Sequence, residues 1–141
     1  MNLPVLPVAT PTVLLYGLAM AAGLVYLPYL FVVAGRIQVG PDALSRPRAI
    51  VDKLPAYAQR ATWAHQNGFE ALLLFGIATL MAYVTGQTDP LVAWAVGVHL
   101  VGRTLYPLMY LLNWPAGRSL AFGLGMVGTL TLFALSLPTG P

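Results

Sequence analysis

The chain has 141 residues, of which 58% are hydrophobic and 8% charged, against about 25% charged in a typical soluble domain. So few charges cannot cover a water-soluble surface, and the composition points to one bilayer domain rather than a soluble enzyme, a disordered tail or a disulfide scaffold. There is no cysteine, so any thiol chemistry needs a thiol supplied by a substrate or cofactor. The net charge is only +3, and the basic residues form no aromatic-interleaved patch suited to nucleic acid.

No charged side chain precedes Arg36, and Thr12–Ala34 is long enough to cross a hydrocarbon core of roughly 30 Å as a first helix. The lack of a positive segment before this run argues against a cleaved signal peptide. Pro28 falls inside it and predicts a kink. From Arg36 to Arg60 the character changes: five basic residues, Asp42, Asp52 and three prolines predict a polar loop. A second span is expected from Ala61 to Val84, carrying His65, Asn67 and Glu70. The turn Thr85–Pro90 leads to a third, Leu91–Leu112, with His99, Arg103 and Pro107. Asn113–Arg118 forms a short loop, and the fourth span, Ser119–Leu137, is uncharged and stops at Pro138. The reading is an all-α integral membrane protein, a four-transmembrane-helix bundle over residues 1–141, with no second domain.

If the 35–60 and 113–118 loops share a side, that side holds Arg36, Arg46, Arg48, Lys53, Arg60 and Arg118, and the other side holds no basic residue. Both loops are then expected in the cytoplasm and both termini outside it. This accounts for every basic residue except Arg103, and an ionisable residue inside a span is costly enough to require a partner or a function.

Helical spacing puts His99, Arg103, Tyr106 and Tyr110 on one stripe of the third span. His99 reads as a packing histidine, and Tyr110 suits an aromatic belt. Counting rise per residue from the loop ends, Glu70 and Arg103 lie at the same depth, roughly 13 Å in, and Asn67 is level with Tyr106. A lone carboxylate there would cost several kcal/mol, on the order of the penalty for an unpaired buried charge. Glu70 and Arg103 are therefore expected to pair, within a polar patch of Asn67, Glu70, Arg103, Tyr106 and Tyr110.

Two other patterns carry no chemistry. Gly123-Leu124-Gly125-Met126-Val127-Gly128 has dinucleotide-fingerprint spacing, but it lies in an apolar span without a preceding strand, and close helix packing explains it better. His65 and His99 sit on different spans at different depths with one intramembrane carboxylate, so no metal site is expected.

Arg60-Ala61-Thr62-Trp63-Ala64-His65-Gln66-Asn67-Gly68-Phe69-Glu70, then Val101-Gly102-Arg103 with Tyr106 and Tyr110, then Gly117-Arg118-Ser119, resemble the MAPEG family of membrane-associated proteins in eicosanoid and glutathione metabolism. The resemblance spans about residues 12–137 and is nearest to bacterial members. It implies a four-helix protomer, a homotrimer, and a glutathione site between subunits near the cytoplasmic face. Asn67, Glu70, Tyr106 and Tyr110 match the family's glutathione contacts, Arg60 matches a further one, and Arg118 resembles the arginine held near the sulfur. Arg103 resembles the partner of Glu70. Trp63 stands where the eicosanoid enzymes carry a glutathione-binding arginine.

The resemblance thus implies a glutathione-dependent transferase or peroxidase in the bacterial inner membrane, acting on lipophilic electrophiles or lipid hydroperoxides. Arg118 would stabilise the thiolate and Ser119 donate to it. The alternative is a non-catalytic lipid-binding or scaffold protein of the same fold. A proton-coupled transporter fits less well, since there is one intramembrane carboxylate and no pair of broken helices.

Overall fold

The computed structural model describes residues 8–137 and is entirely helical across them. The first span is two helices, α1 (Thr10–Val25) and α2 (Leu27–Val39). A short α3 (Asp42–Ser45) and one 3-10 turn (Val51–Lys53) follow, then α4 (Ala56–Val84), α5 (Pro90–Leu111) and α6 (Pro115–Ser136). Four helices, counting α1 and α2 as one, are long and apolar enough to cross a membrane. This is the four-span, all-α architecture expected of the sequence. The predicted stop at Pro138 and both chain termini lie outside the described residues.

The first boundary differs from expectation. The predicted loop from Arg36 to Arg60 shrinks to residues 40–55, because α2 continues through Arg36 and α4 begins before Arg60. Gly40, at φ 102°, ends α2 in a conformation that L side chains rarely adopt, and Pro55 fixes the backbone before α4. Arginines are tolerated in these end turns because their long stems let the charge reach the interface. Arg36 does this against Tyr29, donating from Nη1 to its hydroxyl at 3.3 Å.

The predicted kink lies at Tyr26–Pro28. Tyr29 N–H turns to the Tyr26 carbonyl at 3.1 Å instead of the Val25 carbonyl one residue earlier. The orphaned Val25 oxygen is taken by His65 Nδ1 at 2.8 Å. A carbonyl only accepts, so Nδ1 carries the proton. Tyr26, Tyr29 and Phe69 surround the imidazole, with ring centroids at 5.7, 5.0 and 5.1 Å. A membrane helix tolerates a break only where the freed backbone is satisfied again, and His65 supplies that partner from α4.

The first span packs on α4 and α5, and α6 packs on the same two helices from the other side. Leu14, Phe75, Val92 and Leu132 meet near the 85–89 turn, while Val32, Ile50, Leu54 and Ala61 form a second apolar cluster at the loop end. Between them the α5–α6 seam closes on backbone. A Cβ on Gly102 would lie 2.5 Å from Gly125 N, and one on Gly128 would lie 2.4 Å from the Ala95 carbonyl oxygen. Gly125 and Gly128 of the glycine pattern therefore act in close packing, as expected, whereas Gly123 faces open space.

Candidate functional site

The polar side chains collect in two connected places. In the bilayer interior, Arg103 is 8% exposed and donates from Nη1 to Asn67 Oδ1 at 3.1 Å. Asn67 in turn donates from Nδ2 to Glu70 Oε2 at 3.0 Å. The expected direct pairing of Glu70 with Arg103 is thus corrected to a relay through the Asn67 amide. The Arg103 side chain reaches along α5 towards the loop end, where its guanidinium lies 4.6 Å from the Tyr106 ring centroid. That brings it level with Asn67, one turn short of Glu70. Gly125 makes room for the stem: a Cβ there would sit 3.2 Å from Arg103 Cδ.

Tyr106 is buried and meets Tyr110 edge-on at 5.4 Å, which joins this interior group to a second one at the loop end. There the Arg118 guanidinium lies 4.7 Å from the Tyr110 ring centroid, and Trp63 lies 6.5 Å from the same ring. Arg60 donates from Nη2 to the Leu111 carbonyl at 3.2 Å, at the unpaired C-terminal end of α5, while its buried Nε has no partner. Arg60, Trp63, Tyr110 and Arg118 line one cavity of about 70 Å³ together with Asn113 and Trp114.

Five residues singled out in the sequence therefore form one continuous array: Asn67, Glu70, Arg103, Tyr106 and Tyr110, with Arg60 and Arg118 at its mouth. Ser119 is not brought in. It is exposed and does not line the Arg118 cavity, because consecutive helical residues point about 100° apart. Glu70 is exposed on the outer face of α4 despite its depth within the span. His99 is the packing histidine that its position suggested. It stacks on Phe75 at 3.7 Å and faces the Gly125 carbonyl and the Thr129 hydroxyl through Nδ1, at 3.1 and 3.0 Å.

Two contributors were missed. Trp114 walls the mouth cavity and Asn113 closes α5 with φ 55°, the left-handed conformation that asparagine tolerates at helix ends. The asparagine directly after an apolar periodic run was the available signal. Among the described residues no group of His, Asp or Glu is arranged to hold a metal ion.

No curated protein and no solved structure matches the chain. A family model does match: over residues 13–138, which include every residue of the array and all of the four spans but the first three residues of α1, the chain matches the MAPEG family, and it belongs to that family.

Proposed function

We propose that the protein is a membrane-bound glutathione-dependent transferase or peroxidase acting on lipophilic electrophiles or lipid hydroperoxides. The observation that carries this reading is the mouth cavity, where Arg60, Tyr110 and Arg118, from three different helices, converge beside the Asn67–Glu70 relay. A thiol is a weak nucleophile until it ionises, and a guanidinium beside the sulfur favours the thiolate. Stacking on Tyr110 holds Arg118 in place for that role. The thiolate then attacks the electrophilic carbon or the peroxide oxygen, and the displaced oxygen or other leaving group takes up the proton.

The cavity within one protomer, about 70 Å³, is smaller than the 300–1,000 Å³ of a typical ligand pocket. Glu70, exposed at depth, has only the Asn67 amide as a hydrogen-bond partner within its own protomer and presents the rest of its carboxylate outward. Both features support a neighbouring subunit that completes the glutathione site, and the family resemblance makes the assembly a homotrimer. With the basic loops in the cytoplasm, as in a bacterial inner membrane, soluble glutathione would enter from that side and the apolar substrate from the bilayer.

One observation favours a non-catalytic lipid binder of the same fold. Trp63 is 46% exposed at the mouth, where the family's eicosanoid enzymes hold an arginine, and its ring offers an apolar surface in place of a cation. Isothermal titration of the detergent-purified protein with glutathione separates the two: saturable binding supports the enzyme, and its absence supports the lipid binder.

A further inference from the structure

The segment between α2 and α4 carries a cavity that the polar array does not use. It measures about 360 Å³ and is lined by Asp42, Ser45, Arg46, Ala49, Ile50 and Lys53. Unlike the mouth cavity, it reaches the size of an ordinary ligand pocket, roughly 300–1,000 Å³, within a single protomer. The segment is built against the bundle. Ala43, Ile50 and Leu54 are buried and pack in one cluster with Val32 and Ala58, and the Gln59 amide donates to the Asp52 and Leu54 carbonyls at 3.2 and 2.9 Å. Backbone bonds close the turns between these anchors, from Arg46 N to the Asp42 carbonyl at 3.1 Å and from Lys53 N to the Ile50 carbonyl at 2.9 Å.

The charged groups around this cavity are unspent. Among the described residues the cationic side chains that hydrogen-bond are Arg36, Arg60 and Arg103, whereas Arg46, Arg48 and Lys53 make no such bond. Asp42 is bonded only through its backbone, which leaves its carboxylate free. Sidedness in the membrane asks only that the cations share a face; it does not require two of them to border one cavity. Arg48 shows the difference, being exposed on the same segment but outside the lining. The segment joins two membrane spans, Thr10–Val39 and Ala56–Val84, so the cavity lies where lipid headgroups are.

We propose that this cavity binds the phosphodiester of an anionic membrane glycerolipid whose headgroup is uncharged and hydroxylated. Arg46 and Lys53 bring two positive charges and Asp42 one negative, so the lining lacks a single anion. A phosphodiester carries one negative charge, and its oxygens accept charge-assisted bonds from the guanidinium and the ammonium. A phosphate monoester, with nearly two charges, would overshoot that balance and meet Asp42. The other two polar groups choose the headgroup. The Asp42 carboxylate only accepts, and the Ser45 hydroxyl has given its proton to the Asp42 carbonyl at 3.1 Å, so both offer lone pairs that headgroup hydroxyls can use. An ethanolamine ammonium would also suit them but would leave the positive charge of the lining uncancelled, and choline has no N–H to donate. A lipid holds its phosphate at this level permanently, whereas a soluble phosphate must be drawn from bulk through screening salt. The inference uses none of the residues assigned to glutathione and stands or falls independently of that reading.

The test titrates the whole detergent-purified protein with short-chain phosphatidylglycerol, phosphatidylethanolamine and phosphatidylcholine, and counts bound lipid by native mass spectrometry. Wild type is expected to bind phosphatidylglycerol at least about ten-fold more tightly than either zwitterionic lipid, the scale of two unpaired cations meeting one anion. Arg46→Gln and Lys53→Gln should each weaken it about five-fold, the loss expected for one cation near an anionic headgroup. Arg48→Gln removes the same charge from outside the cavity and should leave the affinity unchanged. All three side chains are exposed, so the variants keep the fold. Equal losses in the three variants would reduce the cavity to a diffuse basic surface and overturn the proposal, as would tighter binding of phosphatidylethanolamine. Displacement of the lipid by millimolar inorganic phosphate at constant ionic strength would assign the cavity to a free anion and overturn the lipid.

Discussion

Replacing Gly102 by alanine puts a single methyl group into the α5–α6 seam. Its Cβ would stand 2.5 Å from Gly125 N, 2.8 Å from the Ala121 carbonyl oxygen and 2.9 Å from Gly125 Cα, all backbone atoms that cannot rotate away. Ordinary contact begins at 3.4 Å, so the helices must part locally by about 0.9 Å. A gap of that size forfeits a quarter to a half of the dispersion energy of each affected contact. Overpacking of this kind costs about 1–3 kcal/mol, and the rigid neighbours place this site at the upper end. The gain in helix propensity from Gly to Ala, about 1 kcal/mol, offsets part of it. Gly123→Ala on α6, the other helix of the seam, is the internal control, since nothing lies within 4 Å of its Cβ and only the propensity gain remains. Unfolding by SDS titration in mixed micelles should therefore show Gly102→Ala less stable than wild type by about 2 kcal/mol and Gly123→Ala equal to it or better. If the two variants are equally stable, α5 and α6 do not pack backbone to backbone and the description of the seam is wrong.

Other changes address the polar array. Asn67→Leu leaves the buried Arg103 without its acceptor and should destabilise by about 1–3 kcal/mol. Glu70→Gln retains an oxygen for the Asn67 amide and should cost less than 1 kcal/mol, of the order of a modest hydrogen-bond change; the same SDS titration ranks the two, and the reverse order would mean that Glu70 and not Asn67 holds Arg103. His65→Leu removes the donor to the Val25 carbonyl and should lower stability by about 1–3 kcal/mol, with faster deuterium exchange confined to residues around the kink. For the proposed chemistry, Arg118→Lys keeps the charge but loses the planar guanidinium and its fit over Tyr110, so thiol conjugation of a standard electrophile should fall while glutathione affinity changes little. Undiminished turnover would leave Arg118 only its topological charge. A reporter fused after Pro141 should be extracytoplasmic, and a cytoplasmic signal would reverse the proposed orientation.

Element number and type were legible because hydrophobic runs of about 20 residues have few alternative explanations. The ends were less so. Arg36 and Arg60 read as loop residues by charge, yet both lie in helices, since a long cationic side chain extends the helical backbone's reach towards polar surroundings. Depth arithmetic put Glu70, Asn67 and Arg103 near one another correctly. It could not reveal which of the three would touch, because that depends on side-chain direction over a distance equal to one turn. Ser119 failed for a similar reason: adjacency to Arg118 in sequence is divergence on a helix. The partner of His65 was beyond reach of the sequence, since Val25 becomes available only after the Pro28 break reroutes the next N–H.

The five-residue connection between α4 and α5, Thr85–Asp89, also bears on how the chain is made. Asp89 caps α5 by accepting from Leu91 N at 2.7 Å, so the turn is closed locally and the two helices form a ready hairpin. Inserted singly, α4 would carry Glu70 and α5 Arg103 into lipid, each at about 2.5–3.5 kcal/mol for a charged residue at a helix centre. Paired as a hairpin, each charge is tied to the other through the Asn67 amide. The hairpin thus holds both charges and the amide that joins them within two consecutive spans, so neither α4 nor α5 needs α6 to offset its charge.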